Sequence, residues 1–172
     1  MSNIYQIKVT LNDSKPPIWR RVLVEDTTTL SKLHSILQIV MGWADYHLHM
    51  FTINEQIYGN PEDDEMGFMK TKNESRFKLN QLVGLEGFKF RYEYDFGDSW
   101  LHDLVVEKIL PAEKKVRYPL CVAGKRACPP EDSGGVWGYE EILEAGANPK
   151  HPQHREYKEW IGENFDPERF DL

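Results

Sequence analysis

Residues Phe88 to Phe96 restrict the fold more than any other stretch. Phe88, Phe90, Tyr92, Tyr94 and Phe96 alternate with Lys89, Arg91, Glu93 and Asp95. Side chains along a strand point to opposite faces in turn, so one face is aromatic and the other charged. Gly97-Asp98-Ser99 reads as a turn, and Trp100 to Ile109 as the returning strand. A three-residue loop pairs Phe96 with Trp100, Tyr94 with His102, Tyr92 with Leu104 and Phe90 with Val106, and sets Lys89 opposite Glu107. A two-residue loop would put Asp103 opposite Tyr92, inside the aromatic face. The longer loop is therefore expected, because a one-residue slip flips every side chain. That register leaves Glu93 opposite Asp103, a repulsion that Arg91 or a cation must offset.

The rest of the chain is arranged around this hairpin. Ile4 to Leu11 alternates as a half-buried strand, and Asn12 to Pro17 is a turn. Trp19 to Glu25 reads as a second strand. Thr28 or Thr29 caps a helix whose Leu30, Leu33, Leu37, Val40 and Met41 share one face, with Gly42 at its end. Tyr46 to Ile53 and Gln56 to Tyr58 look strand-like. Residues 59–76, with the acidic run Glu62-Asp63-Asp64-Glu65, read as a solvated loop. Leu79 to Val83 is a helical turn, and Pro111 to Gly135 is expected to be irregular. Tyr139 to Ala145 is expected to be a helix stopped by Gly146. A last helix over about Pro152 to Ile161 would face Tyr157, Trp160 and Ile161 inward. The expectation is a single α+β domain over residues 1–172. It would be a mixed β-sheet with helices on one face, a β-grasp-like ββαβ core, an extending hairpin and C-terminal helices. Such fold analogy carries no function by itself.

At 172 residues, 40% of them hydrophobic, the chain is long enough for a real core. The net charge of -7 is uneven. Residues 1–53 carry one more cation than carboxylate, so the excess negative charge lies beyond them. Duplex binding rests on Lys and Arg displacing counterions, so duplex nucleic acid is not the expected partner. No apolar run approaches the ~20 residues of a membrane span, and MSNIYQIKV lacks a signal peptide's pattern. A cytoplasmic setting is expected, with Cys121 and Cys128 as reduced thiols.

The chemistry-bearing residues cluster in three segments: His47 to Phe51, Tyr94 to His102 and Cys128 to Tyr139. His47 and His49, if both on a strand, share a face ~6.6 Å apart along it and can serve one metal ion. They can equally be buried, hydrogen-bonded core residues. Asp95, Asp98, Trp100 and His102 come from one hairpin end, where Asp98 has an ordinary role bonding turn amides and His102 a Tyr94 partner. Glu131 and Asp132 sit in a Pro- and Gly-containing loop that can place a carboxylate rigidly or simply cap a helix. His47, His49, Asp98 and His102 are the candidate metal ligands, for a divalent ion. One shared site would bring His49, His102 and Asp132 within an ion's reach of each other. Cys121 and Cys128 lack the spacing and second pair of a zinc knuckle. Phosphate-loop, G-x-S-x-G and H-E-x-x-H patterns are absent.

Several of these segments, in this order, resemble the plasmid pRiA4b ORF-3-like family. The matching residues are Trp19-Arg20, Leu33-His34, Met41-Gly42-Trp43, His47 through Phe51, Tyr94 through His102, Pro119-Leu120-Cys121, Cys128 through Gly135 and Gly138-Tyr139. The resemblance covers nearly the whole chain. It implies an association with mobile elements, and some members carry resolvase-like names. A serine resolvase needs a nucleophilic Ser among arginines and a DNA-binding tail, and this acidic sequence shows neither. The resemblance carries no catalytic residue onto the chain.

Two functions from different classes follow. One is a binding or adaptor module acting through protein contact, suggested by the many aromatics. The other is a metal-dependent hydrolase in which His47, His49, Asp98, His102 and Asp132 supply ligands or a base. Both share the expectation about DNA. The isolated chain should not bind duplex DNA at physiological salt. Fluorescence anisotropy with a labelled duplex at two salt concentrations checks this, and micromolar binding with a steep salt slope would contradict it.

Overall fold

The computed structural model describes residues 3–64, 67, 70–162 and 164–172. Glu65, part of the expected acidic loop, lies outside the described residues. The strands are β1 (Asn3–Leu11), β2 (Trp19–Glu25), β3 (His49–Ile53), β4 (Gln56–Gly59), β5 (Lys72–Asn73), β6 (Lys89–Tyr94), β7 (Trp100–Pro111) and β8 (Leu120–Lys125). The helices are α1 (Leu30–Met41), α2 (Leu79–Leu82), α3 (Gly135–Ala147) and α4 (His154–Ile161). The strands form one eight-stranded sheet in the order β5-β4-β3-β6-β7-β1-β2-β8. Among the described residues only the β4–β5 pair is parallel, so the sheet is mixed and the fold is α+β. The ββαβ order is present along the chain. In space the β6–β7 hairpin separates β1 from β3, so it forms the middle of the sheet rather than an extension at its edge.

One face of the sheet is apolar and the other is charged. Val9, Val22, Phe51, Phe90, Tyr92, Trp100 and Leu104 are buried with Leu30, Leu33 and Leu37 of α1. On the opposite face Arg21 grips Glu107 with two bonds of 2.6 and 2.9 Å, and Gln6 donates to the same carboxylate at 2.8 Å. This is the division expected of a largely antiparallel sheet with one solvated face. Thr29 Oγ1 accepts from the Lys32 amide at 3.2 Å and caps α1, while Gly42 ends it at φ 87°.

The hairpin keeps its expected faces but not its expected register. Tyr94 pairs with Trp100, Tyr92 with His102 and Phe90 with Leu104, a shift of two residues. A two-residue slip preserves faces, which is why the face argument could not exclude it. The turn chooses the register. Asp95 sits at φ 57°, and its Oδ1 accepts from the Gly97 amide at 2.9 Å. Phe96 is thereby released from the strand and is 39% exposed. The shift also sets Arg91 opposite Asp103, with 3.4 Å between them, and removes the Glu93–Asp103 repulsion.

Other boundaries differ for local reasons. β3 begins at His49, so Tyr46 to Leu48 precede the strand. Residues 59–76 include β5 and two short 3₁₀ turns, Pro61–Asp63 and Glu74–Arg76, in place of a plain loop. Residues 111–135 contain β8, which pairs with β2. α3 starts at Gly135 and passes through Gly146; Pro149 follows, and the residue before a proline disfavours helix. Trp160 of α4 points outward at 48% exposure, while Tyr157 and Ile161 are half-buried. Among the described residues no helix is long and apolar enough to cross a membrane.

Two core positions yield measurements. Phe90 is 3% exposed, so Phe90→Ala should cost ~3–5 kcal/mol, whereas Phe96→Ala should stay within about 0.5 kcal/mol. Equal shifts in the two denaturation midpoints would contradict the face assignment. His102 is fully buried, and among the described residues its ring nitrogens meet only the Tyr92 and Trp100 backbones, without well-aligned hydrogen bonds. Burial pushes its pKa down to about 4. Below about pH 6.5 the unfolded chain takes up a proton here that the folded chain refuses until about pH 4. The stability contributed by the neutral ring is full above pH 6.5. It falls as the pH drops toward 4, by up to ~1.4 kcal/mol per unit. Urea midpoints across that window should fall less steeply for His102→Leu than for the native chain.

Candidate metal centre

Trp43 carries the chain from α1 toward the site. Its indole N–H donates to the Pro129 carbonyl at 3.0 Å, which ties the segment after α1 to the Pro-Glu-Asp loop. Two further contacts hold that loop. Glu131 accepts from the Ala44 amide at 3.3 Å and from the Tyr94 hydroxyl. The Gly134 amide donates to Asp98 Oδ2 at 3.0 Å. Gly135, at φ 72°, lies so close to the hairpin turn that a Cβ there would stand 2.5 Å from the Asp98 carbonyl oxygen. Only glycine permits both the backbone angle and the approach. The three chemistry-rich segments thus meet at one end of the hairpin.

Where they meet, His47, Asp95 and Asp132 converge. His47 Nε2 is 3.0 Å from Asp132 Oδ1 and 3.6 Å from Asp95 Oδ2. One donor atom from each of the three lies within 4.8 Å of the others. His47 Nε2 is buried and makes no hydrogen bond among the described residues, despite two carboxylates beside it. The contacts are short but the ring is not aimed along them as a hydrogen bond requires. Asp95 divides its oxygens: Oδ1 accepts from the turn amides, and Oδ2 faces His47. Asp132 is 71% exposed on its side chain, so the cluster opens to solvent on that side. A cavity of about 420 Å³ adjoins it, lined among others by Asp132, Gly134, Glu141, Tyr157 and Trp160.

The remaining candidates go elsewhere. His47 and His49 do not share a face of one strand, because His47 lies in the bend before β3. His49 Nε2 pairs with Glu74 at 3.0 Å, and its ring stacks on His34. His102 lies in the core, 5.4 Å from the Trp43 ring and opposite Tyr92 rather than Tyr94. His49, His102 and Asp132 therefore serve three different surroundings. Trp100 is fully buried as a core residue. Asp98 and Glu131 act as anchors for the loop that carries Asp132. Cys121 and Cys128 are free thiols, and burial pushes the Cys128 thiol far up in pKa, so it is a poor nucleophile.

His34 was not among the expected site residues. Its Nδ1 is 2.8 Å from the Tyr92 hydroxyl and its Nε2 is 2.9 Å from Asp45 Oδ1. Burial, and then the neighbouring His49, lower its pKa. The signal in the sequence was its place four residues after Leu30, on the apolar face of α1, where a buried polar group must find partners. Tyr94, expected to hydrogen-bond His102, turns its hydroxyl elsewhere. Its hydroxyl accepts from the Tyr46 amide at 3.0 Å and donates to Glu131, and burial raises its pKa first, the Glu131 carboxylate second.

Comparison with known proteins agrees on kinship. A crystal structure of a protein of unknown function, MM3350 from Methanosarcina mazei Go1, superposes with a TM-score of 0.90 at 40% identity, covering 99% of this chain and 96% of that one. The uncharacterized protein y4hQ of Sinorhizobium fredii (strain NBRC 101917 / NGR234) is 39% identical over 163 residues, which are 94% of this chain and 82% of that protein. The family described as plasmid pRiA4b ORF-3-like protein matches residues 3–172. With both the sequence motifs and the fold matched over nearly its whole length, the chain belongs to the plasmid pRiA4b ORF-3-like family.

Proposed function

We propose that the chain is a metal-dependent hydrolase whose divalent cation is held by His47, Asp95 and Asp132. The observation that carries this is the His47 imidazole: a buried Nε2 without a hydrogen bond among the described residues, flanked by two carboxylate oxygens at 3.0 and 3.6 Å. A nitrogen and two carboxylate oxygens suit zinc, manganese or iron(II). Three protein donors leave positions for water and substrate, the arrangement of catalytic rather than structural sites. A cation there supplies a water of lowered pKa and polarises the bond to be cleaved.

The protein's own residues prepare this. The turn amides hold Asp95, so that its second oxygen stays toward His47. Glu131 and Asp98 fix the two sides of the loop, and with it the reach of Asp132. The 420 Å³ cavity beside Asp132 gives a substrate room at the exposed side of the ions' donors. The two free thiols fit a reducing, cytoplasmic setting.

A protein-binding role is the second reading, favoured by one observation. Tyr46 at 78% and Leu48 at 46% exposure stand on either side of His47 in the chain. Exposed large apolar residues suit a protein contact. Duplex nucleic acid is not a partner we propose.

The test uses protein purified without a His tag, with metal content measured by mass spectrometry. Hydrolysis of chromogenic phosphate and carboxylate esters is then followed with added Mn²⁺ or Zn²⁺. The native chain should bind the ion and turn over one class. His47→Ala should weaken binding at least roughly tenfold, since even an outer-shell partner costs that much. A native chain that binds neither ion at this site would sink the hydrolase reading and favour the protein contact.

A further inference from the structure

The 420 Å³ cavity between the Asp132 loop, α3 and α4 has a one-sided chemistry. Asp132, Glu141 and Glu156 give its lining three carboxylates, and among the described residues no Lys, Arg or His lines it. Asp132 already faces His47 at 3.0 Å. Neither Glu141 nor Glu156 has an ion-pair partner among the described residues. Arg155 of α4 does not serve them, because it is taken up by Glu159 at 2.8 Å. Two aromatic rings share the lining: Tyr157, half-buried, and Trp160, exposed rather than packed into the core. Gly138 keeps the space open, since a Cβ there would collide with the Ser133 carbonyl oxygen. The α3 N-terminus, whose partial positive charge would draw an anion, is already met by Asp98 through the Gly134 amide at 3.0 Å.

We propose that this cavity takes the cationic end of the substrate, an ammonium or guanidinium on an apolar stem. The proposal rests on the hydrolase reading of the His47 centre and names its substrate class: an amide or ester whose acyl part carries that cation. Glu141 and Glu156 attract the charge, and the Tyr157 and Trp160 rings offer it their faces, the kind of surface that holds a desolvated cation best. A phosphate ester would meet three carboxylates and be repelled. Glu141 lies six residues beyond Gly135, about 9 Å along the axis of α3 at 1.5 Å per residue. Asp132 stands just before the start of that helix, so charge and scissile bond are held well apart. That separation calls for the long stem of an arginine or lysine side chain. Hydrolysis gives the hydroxyl of water to the acyl carbon and its remaining proton to the departing amine or alcohol, as the C–N or C–O bond breaks.

The experiment measures binding of Nα-acetyl-argininamide to the full chain by calorimetry, with Nα-acetyl-norleucinamide as the uncharged counterpart. Chelator-treated protein is used first, so that the reading is independent of any metal. The arginine compound is expected to bind at least roughly fivefold tighter. Glu141→Gln combined with Glu156→Gln should abolish that preference and leave the norleucine compound unchanged. Both glutamates are exposed, so the double variant keeps the fold. Hydrolysis of the matching methyl esters is then followed with Zn²⁺ or Mn²⁺. The arginine ester should have the higher kcat/KM, and the double variant should lose that advantage. Equal affinity for the two amides, failure to bind either, or an arginine preference that survives the double substitution would overturn the proposal, even in a chain that hydrolyses esters. A preference lost with the double substitution, in a chain that hydrolyses no ester, would uphold the cavity as a cation site and remove the hydrolase reading instead.

Discussion

Two tyrosines of one central strand tie the core to the clusters of histidines and carboxylates. Tyr92 and Tyr94 are both fully buried, and a buried phenol must place its hydroxyl on a partner. Tyr92 spends its hydroxyl on His34 and Gln38, on the α1 side. Tyr94 reaches past the sheet to Tyr46 and Glu131, and so to the loop that carries Asp132. Their spacing is fixed by the strand period, so the polar clusters around His34 and around Glu131 are held relative to each other by the same backbone. Apolar burial thereby helps to position polar groups.

The position of the hairpin matters for the same reason. With β6 and β7 in the middle of the sheet, the aromatic face is covered by α1 and joined by β1 and β3 on either side. A strand at an edge would leave backbone groups and part of that face open. The turn at Asp95 to Ser99 is then rigid because both of its strands are paired on both sides. Rigid elements are where a metal-binding constellation is best held.

Much of the fold was legible because its signals were local. The α1 cap at Thr29, its end at Gly42 and the bounds of β2 follow from side-chain chemistry close in sequence. The faces of the hairpin were legible for the same reason. Its register was not, because Asp95 trades two paired residues for side-chain bonds to the turn amides, and alternation is blind to a shift of two. The meeting of the three segments was readable as clustering. The allotment of donors within it was not. Whether His47 continues β3 depends on how Trp43 and Ala44 are held by Pro129 and Glu131, partners far away in the chain. The long-range pairing of β8 with β2 was equally hidden, since Leu120 to Lys125 carries Gly and Cys in place of a clear alternation.

The contact between Gly135 and the Asp98 carbonyl has a wider meaning. A methyl group there would collide at 2.5 Å with backbone, which cannot swing aside as a long side chain can. The loop would have to lift, and Asp132, three residues earlier, would move with it. A single carbon atom added at this glycine would thus misplace the Asp132 carboxylate without altering any residue of the cluster itself. For this fold the tolerance to substitution near the centre is governed by clearance between two backbones. Glycine 135 sets that clearance as a spacer of zero width.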